Sequence, residues 1–195
     1  MQPAKPKSID IVKEKVWEIL ISKVAAYGKK PILKFKWAII VPRLDSKKER
    51  LINLSNRKEI IMDDETIDDT IADILGYCII WQMLNDGLYE DAPILRIGEP
   101  DKRETPSYEA AVARYLDDFG KKAKRELKEL TYYDMAGSIM NILTFVDNLV
   151  TEYVKNHMLD EFVDKELVNH NIMACIVESM LYLAHQPSFV SRDLE

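Results

Sequence analysis

A row of carboxylates opens the stretch from Asp63 to Trp81, and the remainder of that stretch is almost wholly apolar. On a helix, which turns by about 100° per residue, Glu65, Asp69 and Asp73 share one face. Another face is apolar and holds Ile67, Ile71, Ile74 and Cys78. Aligned carboxylates repel by roughly 0.2–0.5 kcal/mol per pair, and burial of an unpaired charge is far more unfavourable. The pattern predicts a cationic partner, either a divalent metal or cationic ligand, or a Lys or Arg of the preceding segment.

Asp73 is the member of this row that needs such a partner most. Acids in the first turn complement the positive end of the helix dipole, which accounts for Asp63, Asp64 and Glu65. Asp73 lies beyond the reach of the dipole. Its face also becomes apolar, because three residues fall close to it in azimuth: Tyr77, Ile80 and Met83. We therefore expect Asp73 to be half-buried.

A basic segment directly precedes the acidic one. Ten Lys or Arg residues stand against two acids between Lys29 and Lys58, whereas Glu59 to Asp73 holds seven acids and no base. Three of the bases crowd one turn of a predicted helix: Lys47, Lys48 and Arg50. Mg²⁺ prefers carboxylate, water and phosphate oxygens, and nearby bases can neutralise the other phosphate oxygens. This juxtaposition predicts a site for a polyphosphate.

Other kinds of catalytic site have little support. The phosphate-binding glycine loops, the dinucleotide-binding glycine motif and the Gly-x-Ser-x-Gly elbow do not occur. The three histidines fall at or within the last two predicted helices, where we interpret them as structural: His157, His170 and His185. Cys78 and Cys175 sit far apart in apolar patterns without zinc spacing, so we predict buried core thiols.

Composition indicates a globular protein with a substantial core, since 47% of the 195 residues are hydrophobic. A net charge of −6 argues against a dedicated nucleic-acid binder. No apolar run approaches the roughly 20 residues of a membrane span, and Met1 to Ser8 lacks the apolar core of a secretory signal. We therefore expect a cytoplasmic protein that does not bind membranes.

The periodicity that positions these residues is helical throughout, with no strand-and-turn rhythm. The fold class is predicted to be all-α, a bundle of about six helices. Their predicted spans are 8–27, 46–54, 65–85, 105–130, 134–157 and 164–185. The stretch from Lys30 to Pro42 is bounded by prolines and predicts an irregular or short extended arm.

Proline and mixed charge between Asp91 and Thr105 mark a boundary or an exposed loop. Residues 1–90 would then form a nucleotide-binding and metal-binding half, and residues 91–195 a half for packing or oligomerisation. A single domain built from both halves is the alternative.

Three segments, in order, carry a resemblance to a known family. They are Ala26-Tyr27-Gly28, the run from Lys47 to Leu54, and the run from Asp64 to Ile80. They resemble the small nucleotide-modification-associated domain of phages and bacteria. That domain is similar to the all-α nucleoside-triphosphate pyrophosphatases of the MazG type. The likeness covers Val24 to Leu84.

The resemblance implies a Mg²⁺-dependent nucleoside-triphosphate pyrophosphohydrolase of phage type. In the similar enzymes, acids on two neighbouring helices hold Mg²⁺ against the triphosphate while water attacks and pyrophosphate leaves. By position, Glu49, Asp69 and Asp73 would be the catalytic acids, and these three with Glu65 the metal ligands. The bases that would contact the nucleotide are Lys47, Lys48 and Arg50.

A non-enzymatic helical interaction protein, such as a phage-type inhibitor or adaptor, is the alternative. It is kept open because Ile52 and Thr70 stand where the pyrophosphatases usually carry acids. The fifth and sixth predicted helices also hold more apolar residues than a six-helix monomer need hide. Together with the oligomeric relatives implied by the resemblance, this predicts a homodimer or larger assembly.

Overall fold

The computed structural model describes residues 6–27, 37–56, 66–86, 108–158 and 164–191. All regular structure in these ranges is helical, which confirms the predicted all-α class. Seven helices are described: α1 (Pro6–Tyr27), α2 (Trp37–Asn56), α3 (Ile67–Asn85), α4 (Tyr108–Glu129), α5 (Met135–Met158), α6 (Lys165–Ala184) and the short α7 (Pro187–Ser191).

Helix α6 occupies the centre of the bundle and packs against α1, α3, α4, α5 and α7. It runs antiparallel to α3, because Asn85 at the end of α3 contacts Asn169 near the start of α6, while Asp68 contacts Ser188 beyond its end. Helix α2 packs across α3 and α5. Helices from both halves of the sequence therefore contribute to one hydrophobic core.

The central position explains the composition of α6. This helix is long and apolar enough to cross a membrane by length and mean hydropathy, but 67% of its most apolar window is buried inside the protein. A helix that is apolar on all sides is expected where neighbours surround it. Burial among the other helices thus accounts for its apolar sequence.

The second helix begins nine residues earlier than its sequence pattern indicates. It starts at Trp37, so residues 37–42 are helical and do not form the predicted arm, and residues 28–36 lie outside the described part. Pro42 removes a backbone donor inside this helix. Both Pro42 and Ala38, whose carbonyl loses its partner, are exposed, so water can satisfy the free group. Burial of Ile40, Val41 and Leu44 stabilises the extra turns.

The remaining boundaries agree with the predictions to within a few residues. Thr66 caps α3 through a capping box with Asp69, and Asp164 caps α6 by accepting from two backbone amides. The predicted boundary near residues 91–105 lies outside the described residues. Ser46, where the second helix was predicted to begin, is an exposed residue in the middle of α2.

Cys78 of α3 and Cys175 of α6 are free, fully buried thiols, as the sequence predicts. They face each other across the contact between the two helices. The hydrogen bond with Cys175 and burial together raise the pKa of the Cys78 thiol well above its usual value. The protonated thiol is a poor nucleophile, which agrees with a packing role.

Close packing of α1 against α3 makes Gly76 sensitive to any side chain. A Cβ atom at this position would lie 2.8 Å from Cδ2 of the buried Leu20. We expect Gly76→Ala to destabilise the protein by up to about 2 kcal/mol, because overpacking of about 1–3 kcal/mol opposes a helix-propensity gain of about 1 kcal/mol. At Gly120 the nearest atom belongs to the flexible side chain of Lys13, so Gly120→Ala should be close to neutral. Urea unfolding of both variants measures the difference, and equal stabilities would contradict this packing.

Candidate functional site

Charged side chains from three different helices meet at Asp73. Lys23 of α1 donates a hydrogen bond to Asp73 Oδ1, and Nζ of Lys47 from α2 lies 2.8 Å from Asp73 Oδ2. Each carboxylate oxygen therefore contacts a different ammonium group. We refer to Lys23, Lys47 and Asp73 as the lysine–aspartate cluster.

The cluster lies at the edge of the core. The Asp73 side chain is 12% exposed, that of Lys47 19% and that of Lys23 40%. The prediction that Asp73 is half-buried and has a cationic partner is thus confirmed. Within this cluster two ammonium groups accompany one carboxylate, in a chain whose net charge is −6.

The fold explains how these residues meet. Ile71, Ile74 and Leu75 bury α3 in the core, which places Asp73 on the side of α3 that lies at the surface. Helix α2 packs against this side and brings Lys47, while the second half of α1 brings Lys23. Sequence reasoning expected a base from the preceding segment but did not identify Lys23, because its approach depends on how α1 packs on α3.

Asp69 has a role at the start of α3. Its Oδ2 accepts hydrogen bonds from the backbone N of Thr66 at 3.0 Å and from the Thr66 hydroxyl at 2.7 Å. These contacts complete the capping box, which satisfies backbone donors that would otherwise lack partners. Asp69 is therefore directed to the helix terminus, one turn before Asp73.

The other predicted site residues of α2 are distributed around that helix. Lys48 turns towards α5. Its Nζ lies 3.0 Å from Asp147 of α5 and 3.0 Å from Asp45 of its own helix. Burial lowers the pKa of Lys48, but the hydrogen bonds with these two acids outweigh it and the pKa is raised. Glu49 is 62% exposed, with Lys48 3.8 Å away. Arg50 is partly buried one turn after Lys47.

The described carboxylates are dispersed. Among the described side chains, no group of three or more His, Cys, Asp or Glu residues lies close enough to hold a metal ion. Both oxygens of Asp73 contact lysines, and Asp69 serves the helix cap. Glu65 lies outside the described residues. The described carboxylates alone do not form a magnesium cage, and we assign no chemical step to Mg²⁺.

A second polar group is buried at the end of α6. The ring of His185 stacks on Tyr133 with centroids 3.9 Å apart, and His185 Nδ1 donates to the Leu181 carbonyl at 2.7 Å. The Tyr133 hydroxyl lies 2.6 Å from the Ser138 hydroxyl and 3.4 Å from Glu178. This arrangement supports the structural interpretation of His185, while His170 is exposed.

Stability should depend on pH through His185. Burial lowers its pKa from the ordinary value of 6.5, so the unfolded chain binds more protons than the folded one just below that pH. The free energy of unfolding should therefore fall between about pH 7 and about pH 5. His185→Gln should show a shallower fall than the wild type. Denaturant titrations across this range measure the slopes, and identical slopes for the two proteins would contradict the assignment.

Asp73→Asn should test the ion pairs of the cluster. Removal of the carboxylate leaves two ammonium groups side by side, one of them largely buried. We expect a loss of about 1–3 kcal/mol, less than for a fully buried pair because Lys23 can rehydrate. The control is Asp118→Asn on α4, whose partner Lys121 is 74% exposed, and its effect should be close to zero. A variant at least as stable as the wild type would indicate that repulsion among the acids dominates at Asp73.

No protein-family model, no curated protein and no solved structure matches this chain. The resemblance of residues 24–84 to the nucleotide-modification-associated domain therefore remains a prediction.

Proposed function

We propose that the lysine–aspartate cluster binds the phosphate groups of a small molecule, and that this molecule is a nucleotide. The observation that carries the proposal is the convergence of Lys23 and Lys47, from two different helices, on one carboxylate of a third. Lys47 is also one of the three bases from which the sequence predicts a phosphate site, and the other two, Lys48 and Arg50, lie on the same helix α2. The resemblance supplies the nucleotide as the class of ligand.

The electrostatics of the cluster favour an anion. Its two ammonium groups lie at the edge of the core, where partial burial weakens screening by solvent. An ammonium group carries three N–H donors, so one lysine can contact a carboxylate and a phosphate oxygen together. Asp73 then acts as a positioning residue that holds two long, flexible side chains in one place.

Hydrolysis requires more than this cluster supplies. Under the resemblance, Glu49, Glu65, Asp69 and Asp73 would hold Mg²⁺, which would neutralise phosphate charge and polarise the phosphoryl oxygens. The described acids form no such group, so binding is the function that the geometry supports best. Mg²⁺-dependent pyrophosphohydrolysis in a cytoplasmic, phage-type protein stays a prediction of the resemblance.

Calorimetric titration with inorganic pyrophosphate and a panel of nucleoside triphosphates tests the proposal. We expect binding to the wild type, with and without EDTA, and at least a tenfold loss of affinity in Lys23→Met and Lys47→Met. That loss corresponds to about 1.4 kcal/mol, the magnitude of one charge-assisted hydrogen bond. Methionine keeps the apolar stem of lysine and removes only the charge.

Lys48→Met is the matched control, because it removes the same charge from the neighbouring residue, which contacts Asp45 and Asp147 instead. It should bind with nearly wild-type affinity. Equal losses in all three variants would mean that net charge alone attracts the ligand. Absence of binding by the wild type would overturn the proposal and favour the non-enzymatic interaction protein. Release of pyrophosphate only when Mg²⁺ is added would support the enzyme.

A further inference from the structure

The exposed face of α5 carries less charge than that of α4, the helix before it in sequence. Of the eight exposed residues between positions 135 and 155, only Asp147 is charged. On α4, by contrast, eight of the ten exposed residues are charged. Charged residues make up 31% of the chain, so this face carries fewer charges than the average composition would give it.

The exposed residues of this face follow a regular spacing. Steps of four, three, four and three residues separate five of them, which we call the α5 seam: Met140, Thr144, Asp147, Thr151 and Val154. At about 100° per residue they fall within about 40° of one line along the helix. This spacing is that of a helix that pairs with another helix along its length.

The side chains of the seam are exposed in the single chain. Met140 is 63% exposed, Val154 42% and Asp147 62%. The hydroxyl of Thr144 already donates to the Met140 carbonyl at 2.8 Å, so it brings no unsatisfied donor into a contact. The seam can therefore be covered without burying an unpaired donor at Thr144.

The order of the seam residues indicates what covers it. Read in either direction, the seam presents an apolar residue, a threonine, the aspartate, a threonine and an apolar residue. An antiparallel copy of the same helix, related by a two-fold axis near Asp147, places Met140 beside Val154 of the second copy. The same pairing then repeats on the other side of the axis, as a two-fold contact requires.

We propose that two copies of this chain associate through the α5 seam as an antiparallel helix pair. The axis brings the two Asp147 side chains near each other, but each carboxylate lies 3.0 Å from Lys48 of its own chain, which offsets the repulsion. The proposed phosphate site lies on α1, α2 and α3, so the two proposals are independent.

Association through one helix pair should be weak. A stable interface usually buries about 800 Å² per partner, more than a single pair of helices of this length supplies. We expect a dissociation constant on the order of 10 µM or above. Sedimentation equilibrium from roughly 1 to 200 µM covers this range, and a monomer at every concentration would overturn the proposal.

Cross-linking tests the antiparallel arrangement. In the double variant Met140→Cys/Val154→Cys, the two positions lie about 21 Å apart on one helix, out of reach of a short bismaleimide. The native cysteines are fully buried. Efficient formation of covalent dimers by the double variant, and much less by either single variant, is the expected result. Cross-linking no greater than that of an Arg125→Cys control on α4 would contradict the arrangement.

Charge variants separate the seam from general association. Met140→Glu should weaken association at least tenfold, while Ala113→Glu, which adds the same charge to an exposed position on α4, should leave it unchanged. Asp147→Asn should change association much less than Met140→Glu, because Lys48 of the same chain already offsets the repulsion between the two carboxylates. Both changed positions are exposed, and thermal melts verify folding. Equal dissociation constants for wild type, Met140→Glu and Asp147→Asn would exclude the α5 seam.

Discussion

The burial of α6 is the constraint on which the rest of the structure depends. Its sequence is apolar on nearly every side, so five other helices must each turn an apolar face towards it. Their polar residues are consequently directed outward or to the edges of the core. Asp73 lies at such an edge, because α3 uses its other sides to contact α6 and its neighbours. The position of the candidate site follows from this packing.

Local signals in the sequence predicted the elements well where they agreed with packing. The predicted starts of α3 and α6, at residues 65 and 164, lie within two residues of the observed ones, because the capping residues Thr66 and Asp164 directly precede the helical pattern. The start of α2 was wrong for the opposite reason. Prolines flanking residues 31–42 indicated an irregular arm, whereas burial of Ile40 and Leu44 overrides that local preference.

The candidate site was predictable in part. The position of Asp73 beyond the helix dipole correctly required a cation, and Lys47 was among the bases named. Lys23 could not be identified, since 50 residues separate it from Asp73 and only the packing of α1 brings them together. Asp69, which sequence spacing aligned with Asp73, instead completes a helix cap, because a backbone amide one turn away is the nearer partner.

The two lysines of the cluster come from helices that make no extensive contact with each other among the described residues; α3 joins them. A phosphate group held by both ammonium groups would therefore act as a clamp between α1 and α2. Local unfolding of either helix would then break contacts with the ligand, so the two helices would no longer unfold locally and independently of each other. The signature of such coupling is slower amide hydrogen exchange at the end of α1 and in the middle of α2 at the same ligand concentration.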